Sequence, residues 1–88
     1  MMKKLMLVLL LSAIAPSVMA GAKCESHPKE TWMKEADLRK QLEDQGYKIK
    51  KFKVDGQCYE IYGHNKDGKK VEIYFDTVSG QPVKTEMH

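Results

Sequence analysis

Apolar residues fall into three patterns along this chain. The first is continuous: Leu5 to Ala15 is apolar apart from Ser12, behind a basic Lys3-Lys4 start. Pro16 breaks the run, and Val18-Met19-Ala20 places small residues at the −3 and −1 positions of a cleavage site. Basic start, short apolar stretch and small-residue exit predict a secretory signal peptide over residues 1–20. A helix from Leu5 to Val18 would span roughly 21 Å, short of the ~30 Å hydrocarbon core of a membrane. Cleavage is therefore expected rather than anchoring. Lys23 stands before Cys24 where a lipoprotein signal carries Gly, Ala or Ser, so lipidation is not expected.

The second pattern is helical. Lys34 to Gln45 is rich in good helix formers and holds no Gly or Pro. Glu35 and Asp37 lie in its first turn, where the helix dipole favours negative charge. Leu38 and Leu42 share a face, Gly46 can supply a left-handed cap, and Tyr47 can fold back on Leu42. Two leucines make a thin stripe, so the helix must lie on something. Trp32 and Met33 are expected to add to that anchor, with Trp32 read as a core plug in preference to a binding-site aromatic.

The third pattern alternates with period two and predicts strands over Lys48–Val54, Gln57–His64 and Lys69–Asp76. Asp55-Gly56 signals a two-residue hairpin, with Val54 opposite Gln57, Phe52 opposite Tyr59 and Lys51 opposite Glu60. Ile49 is out of phase, which predicts a bulge near Lys50-Lys51. Asn65 to Gly68 fits a three-residue loop that pairs Ile61 with Ile73 and Tyr59 with Phe75. Phe52, Val54, Tyr59, Ile61, Val71, Ile73 and Phe75 then form the face under the helix. Cys58, Glu60, Tyr62, Glu72, Tyr74 and Asp76 form the other face. Thr77 to Gly80 reads as a turn, and Gln81 to His88 as a tail with a brief strand at Val83. The expected fold class is α+β: one helix packed on a three-stranded antiparallel β-meander.

Charge and cysteines refine this picture. The chain carries 15 Lys+Arg against 12 Asp+Glu. Lys3 and Lys4 leave with the signal, so 13 basic and 12 acidic side chains remain, a net charge of +1. Nucleic-acid binding loses its electrostatic argument. Met1, Met2, Met6 and Met19 leave too, which removes the case for a methionine-rich copper carrier. So small a domain buries a limited fraction of its surface and benefits from a staple. Cys24 and Cys58 in an exported chain read as one disulfide. Cys58 lies on the face away from the helix, so the lead-in with Cys24 is expected to be tied across or beside that face. No C-x-x-C is present, and two sulfurs this far apart make a poor zinc site.

These residues resemble a family. A helix ending in Gly46-Tyr47, a lysine-rich strand, Cys58-Tyr59-Glu60-Ile61-Tyr62, the run Lys66 to Asp76, and Ser79-Gly80-Gln81-Pro82-Val83 are similar to small secreted PepSY domains. The resemblance covers about residues 30–84. Asp76-Thr77 departs from the Asp-Pro or Asn-Pro common in the family. The division that follows is a signal peptide at 1–20, an extended lead-in at 21–33, a PepSY-like domain at 34–84 and a tail at 85–88. The resemblance implies a non-catalytic module that inhibits peptidases or modulates partners, and it transfers no catalytic residues.

The residues point the same way. His27 lies in the lead-in, His64 at a hairpin end opposite Lys70, and His88 after the last strand, so no shared ligand face is expected. Ser26 and Ser79 lack an obvious base. Glu60 with Glu72 or Asp76 could form a carboxylate pair, but Glu60 has a cross-strand lysine and Glu72 reads as a solvated strand residue. A cavity of ~300 Å³ or more is not expected in so small a domain. No catalytic residues, metal or cofactor are assigned. The lysines Lys48, Lys50, Lys51 and Lys53 read as guards of an edge strand, with a docking stripe for an acidic partner or membrane surface as the functional alternative. The third strand is expected to be the less guarded edge, open to a partner or to a second copy in an edge-strand homodimer. Tyr62, Glu72 and Tyr74 are the candidate partner-binding residues. The expected partner is a peptidase or envelope protein, and the expected compartment the periplasm or the extracellular space. The competing functional reading is a periplasmic accessory or sensor protein beside a membrane redox, haem or metal system.

Overall fold

A computed structural model describes residues 21–88; the expected signal segment, residues 1–20, lies outside the described residues. After an irregular lead-in and a short 3-10 turn at Lys29–Thr31, the chain forms α1 (Glu35–Asp44), β1 (Lys48–Asp55), β2 (Cys58–His64), β3 (Lys70–Asp76) and β4 (Pro82–Met87). The four strands make one antiparallel sheet in the order β1-β2-β3-β4. None of the described helices is long and apolar enough to cross a membrane.

Local chemistry accounts for α1. Arg39 bonds Glu35 at 2.9 Å and Lys40 bonds Asp44 at 3.3 Å, both one turn apart on the exposed side. Leu38 and Leu42 are buried on the opposite side. Gly46 adopts a φ of 99°, a left-handed conformation that glycine reaches without steric cost. Its N–H donates to the Glu43 carbonyl at 3.0 Å and the Tyr47 N–H to the Leu42 carbonyl at 3.1 Å. This pair of bonds is the Schellman arrangement, and it turns the chain back toward the sheet.

The fourth strand corrects the expected three-stranded meander. Its sequence is a weak strand signal, with Val83 and Met87 separated by charged residues and led by Pro82. Tertiary pairing decides the matter. An Asp76 carboxylate oxygen accepts the N–H groups of Val78 and Ser79 at 3.1 and 2.7 Å, and Gly80 reverses the chain with a φ of 71°. The returning segment then pairs Lys84 with Tyr74 and Met87 with Val71. Pro82 is tolerated because it begins an edge strand. β4 runs through the segment expected to be tail, and β3 lies inside the sheet.

The β2–β3 register agrees with the expectation, with Ile61 opposite Ile73 and Tyr59 opposite Phe75. The β1–β2 register is displaced by two residues: Val54 faces Tyr59, and Lys53 rather than Lys51 faces Glu60. The two central turn residues are Gly56 and Gln57. Gly56 has a φ of 60° at the first of these positions, where a type II′ turn requires it. A two-residue shift preserves the side-chain faces. The register break between Ile49 and Lys51 is the expected bulge. It lets Ile49 and Phe52 both pack against the core.

Leu38, Leu42, Tyr59, Ile61, Val71, Ile73 and Phe75 form the core between α1 and the sheet. Trp32 plugs one end, edge-on to Tyr59 at 5.4 Å, while the Tyr59 hydroxyl donates to the Met33 carbonyl at 2.6 Å. Val54 departs from the expected core: it is 50% exposed. A helix of 10 residues extends only about 15 Å and does not cover the hairpin tip.

Phe75 is almost fully buried at the centre of this core. Phe75→Ala is expected to lower stability by roughly 3–5 kcal/mol in urea unfolding. A loss below about 1 kcal/mol would reject the packing described. Gly63 faces the bulge, where an added Cβ would lie 2.0 Å from the Lys48 carbonyl oxygen. Gly63→Ala should therefore cost at least ~2 kcal/mol, as over-packing against a backbone atom does, whereas Gly68→Ala should not be limited by space, since nothing lies within 4 Å of its Cβ position.

Candidate functional site

The face of the sheet away from α1 carries the polar chemistry. The lead-in is pinned there as a strap. Cys24 is bonded to Cys58, closing a loop with a sequence separation of 34. A closure of that length stabilises a small domain by roughly 3–4 kcal/mol in the chain-entropy model. On one side of the bond Lys84 donates to the Gly21 carbonyl at 2.9 Å. On the other, His27 meets Asp76 at 2.9 Å and the Trp32 indole N–H donates to the His27 carbonyl at 2.9 Å. The expectation that the Cys24 segment is tied to this face agrees with the structure.

Beside the strap lies a cluster of two carboxyls and two phenols. The sheet register brings them together: Glu60 pairs with Tyr74, and Tyr62 with Glu72. Glu60 is 1% exposed and its Oε2 has no hydrogen-bond donor. Lys53 approaches Oε1 only to 3.9 Å. Burial pushes the Glu60 carboxyl up, and the neighbouring Glu72 adds to the shift. Glu72 moves the other way, to about 2, chiefly through its hydrogen bond with Glu60 and then through the tyrosine hydroxyls. The opposed shifts follow from the two carboxyls' nearness and from the deeper burial of Glu60, which disfavours its charged form. Tyr74 donates to the Glu72 Oε2 at 2.8 Å. Burial first, and that hydrogen bond second, push the Tyr74 hydroxyl up; hydrogen bonds to Glu60 and Glu72 do the same for Tyr62.

Tyr62, Glu72 and Tyr74 are thus brought together, in two different states. Tyr74 is 3% exposed, lies under the Lys84 ammonium at 5.8 Å and spends its hydroxyl on Glu72. Tyr62 and Glu72 stay partly exposed. Lys51 and Lys53 lie over the Tyr62 ring at 5.8 and 5.5 Å. The expected open edge on β3 is overturned, because β4 occupies it. Sequence reasoning also missed how deeply Glu60 is buried; its alternation on a strand flanked by two others was the available signal.

Tyr62 and Glu72 open onto a groove of about 430 Å³, where no cavity of this size was expected. Lys50, His64, Lys70 and His88 stand around it, and Gly63 is on its floor. The β1 bulge leaves Lys50 without a cross-strand partner and turns its side chain toward the groove.

Among the described residues, two groups of side chains have metal-ligand chemistry: Glu25, His27 and Asp76, and Glu72, Glu86 and His88, each with donor atoms within 4.8 Å of one another. Both are also knit by internal bonds. His27 holds Asp76, Lys84 meets Glu86 at 3.1 Å, and His88 approaches Glu72 at 3.7 Å. These contacts make them tethers of the strap and of β4.

A family model for the peptidase propeptide and YPEB domain matches residues 4–86. The chain belongs to the PepSY family. Neither the curated proteins nor the solved structures gave a match. The PepSY assignment agrees with the sequence resemblance, and the matched region takes in the strap and the sheet up to Glu86, with Met87 of β4 and the groove residue His88 beyond it.

Asp76 links the strap to the β3–β4 turn. Its carboxyl is held at about 2, first by the Ser79 backbone N–H and also by His27. A depressed acid contributes stability above its unfolded value near 3.8 and loses it as pH falls toward 2. Glu72 acts in the same direction, whereas Glu60, shifted up, contributes at low pH and loses that contribution as pH rises through its folded value. Asp76→Asn should cost about 1–2 kcal/mol at pH 7 and converge with the parent protein near pH 2 in urea unfolding. An equal difference at both pH values would reject the charge-based role.

Proposed function

We propose that this protein is an exported, non-catalytic binding module that restrains or modulates a peptidase through its PepSY domain, with the periplasm as its compartment. The observation that carries this reading is the family match over residues 4–86. The polar face supports it. Tyr74 is committed to Glu72, Glu60 is buried beside them, and Asp76 is committed to a turn and to His27. Carboxyls used in this way stabilise a surface; a general acid–base pair would instead be free to reach a substrate proton. The strap and disulfide preorganise that surface, which lowers the ordering cost of binding.

The disulfide-bonded protein, immobilised and exposed to envelope extract, should retain a peptidase. The retained enzyme should then lose activity when the soluble protein is added. Retention of a haem protein or sensor kinase, with no peptidase among the bound species, would favour the accessory or sensor reading and reject inhibition.

A further inference from the structure

The groove beside Tyr62 shares Glu72 and His88 with the internal bonding described above, and its lysines lie outside that bonding. Lys50 reaches it from the β1 bulge, His64 from the end of β2, Lys70 from the start of β3 and His88 from beyond β4. Their meeting is a product of topology. Lys48, His64 and Lys70 form one row across three strands. The His88 N–H donates to the Lys70 carbonyl at 3.0 Å, which draws the end of the chain to the same place. Lys66 and Lys69 stand exposed in the adjoining hairpin.

Lys48, Lys50, Lys66, Lys69 and Lys70 outnumber Asp67, Glu72 and Glu86 here, so this end is basic by placement in a chain that is nearly neutral from Gly21 onward. Asp55 and Asp76 flank Cys58 at the opposite end of the sheet, and Glu25 lies 3.8 Å from His27 there. A concave site with an excess of one sign of charge attracts and orients ligands of the other sign. At about 430 Å³ it is the size of a small-ligand or side-chain pocket.

Glu72 selects among anionic ligands. It places a hydrogen-bond acceptor on the groove wall, among the cations. A phosphodiester presents only acceptors and would meet Glu72 unfavourably. A peptide presents both carboxylates, which suit lysine, and backbone N–H groups, which suit Glu72.

We propose that this groove binds an acidic peptide segment of a protein partner, with its carboxylates on Lys50 and Lys70 and a backbone N–H donating to Glu72. The proposal deepens the protein-binding reading above by naming the chemistry of the partner. Its test uses no peptidase, so failure of one does not decide the other.

A fluorescein-labelled peptide of alternating glutamate and alanine is titrated with the disulfide-bonded protein at low salt and followed by anisotropy. Its glutamine counterpart serves as the control, and phosphatidylglycerol vesicles as a separate arm. The glutamate peptide should bind, and the glutamine peptide should bind at least about tenfold more weakly. Lys50→Glu with Lys70→Glu should weaken binding by about tenfold or more. The same charge change at Lys23 and Lys34, away from the groove, should alter it by less than about threefold. Circular dichroism checks each fold. If the double charge reversal misfolds, Lys50→Ala and Lys70→Ala singly should each weaken binding in the same direction. No binding of the glutamate peptide, equal losses from both pairs of variants, equal affinity for the glutamine peptide, or vesicle binding alone would each overturn the proposal.

Discussion

The bond between Cys24 and Cys58 is the constraint on which the rest of the structure depends. A helix of 10 residues can cover only one face of the sheet. The disulfide holds the lead-in against the other face, with further bonds to Lys84 and Asp76 on either side. β2 is consequently buried on both faces over Cys58–Ile61. In so small a domain, this second cover supplements a core with only two helix leucines. It also accounts for a buried glutamate on a strand whose alternation would otherwise point it at water.

Burial then sets the electrostatics. Glu60 cannot ionise cheaply where no donor reaches its Oε2. Its carboxyl is pushed up, while that of Glu72 beside it is held down at about 2. Tyr74 completes this arrangement from within the sheet. Tyr74, one of the two candidate anchor tyrosines, is therefore a structural hydrogen-bond donor, while Tyr62, one row away, remains beside open space. Their difference comes from position: Tyr74 lies between Glu60 and Lys84 in the four-strand row, whereas Tyr62 lies next to the bulge that opens the groove.

The groove owes its shape to one irregularity. Ile49 and Phe52 can both face the core only if β1 gains a residue between them, and the extra residue is Lys50. The bulged backbone comes so close to β2 that position 63 has no room for a side chain. One bulge and one glycine thus deliver a lysine from an edge strand to a recess shared with the next hairpin. Edge protection and ligand attraction use the same residue types, and the backbone path separates their roles.

The sequence by itself determined the elements whose signals are local. Gly46 marked the helix end because that turn needs a left-handed residue. The phase break at Ile49 marked the bulge, and the loop at Asn65–Gly68 set the β2–β3 register. The paired cysteines and the PepSY resemblance pointed to a disulfide-tied α+β domain. Tertiary structure decided what depends on neighbours distant in sequence. Pro82–Met87 has little alternation of its own and became a strand because β3 offered an unpaired edge. That pairing placed Tyr74 inside the sheet and brought Lys84 and His88 to the polar face. Val54 had the right alternation for the core, but the helix is too short to reach it. Side-chain periodicity reports which way a residue points; what covers that direction is set by the length and path of other segments, and those appear only when the chain is folded.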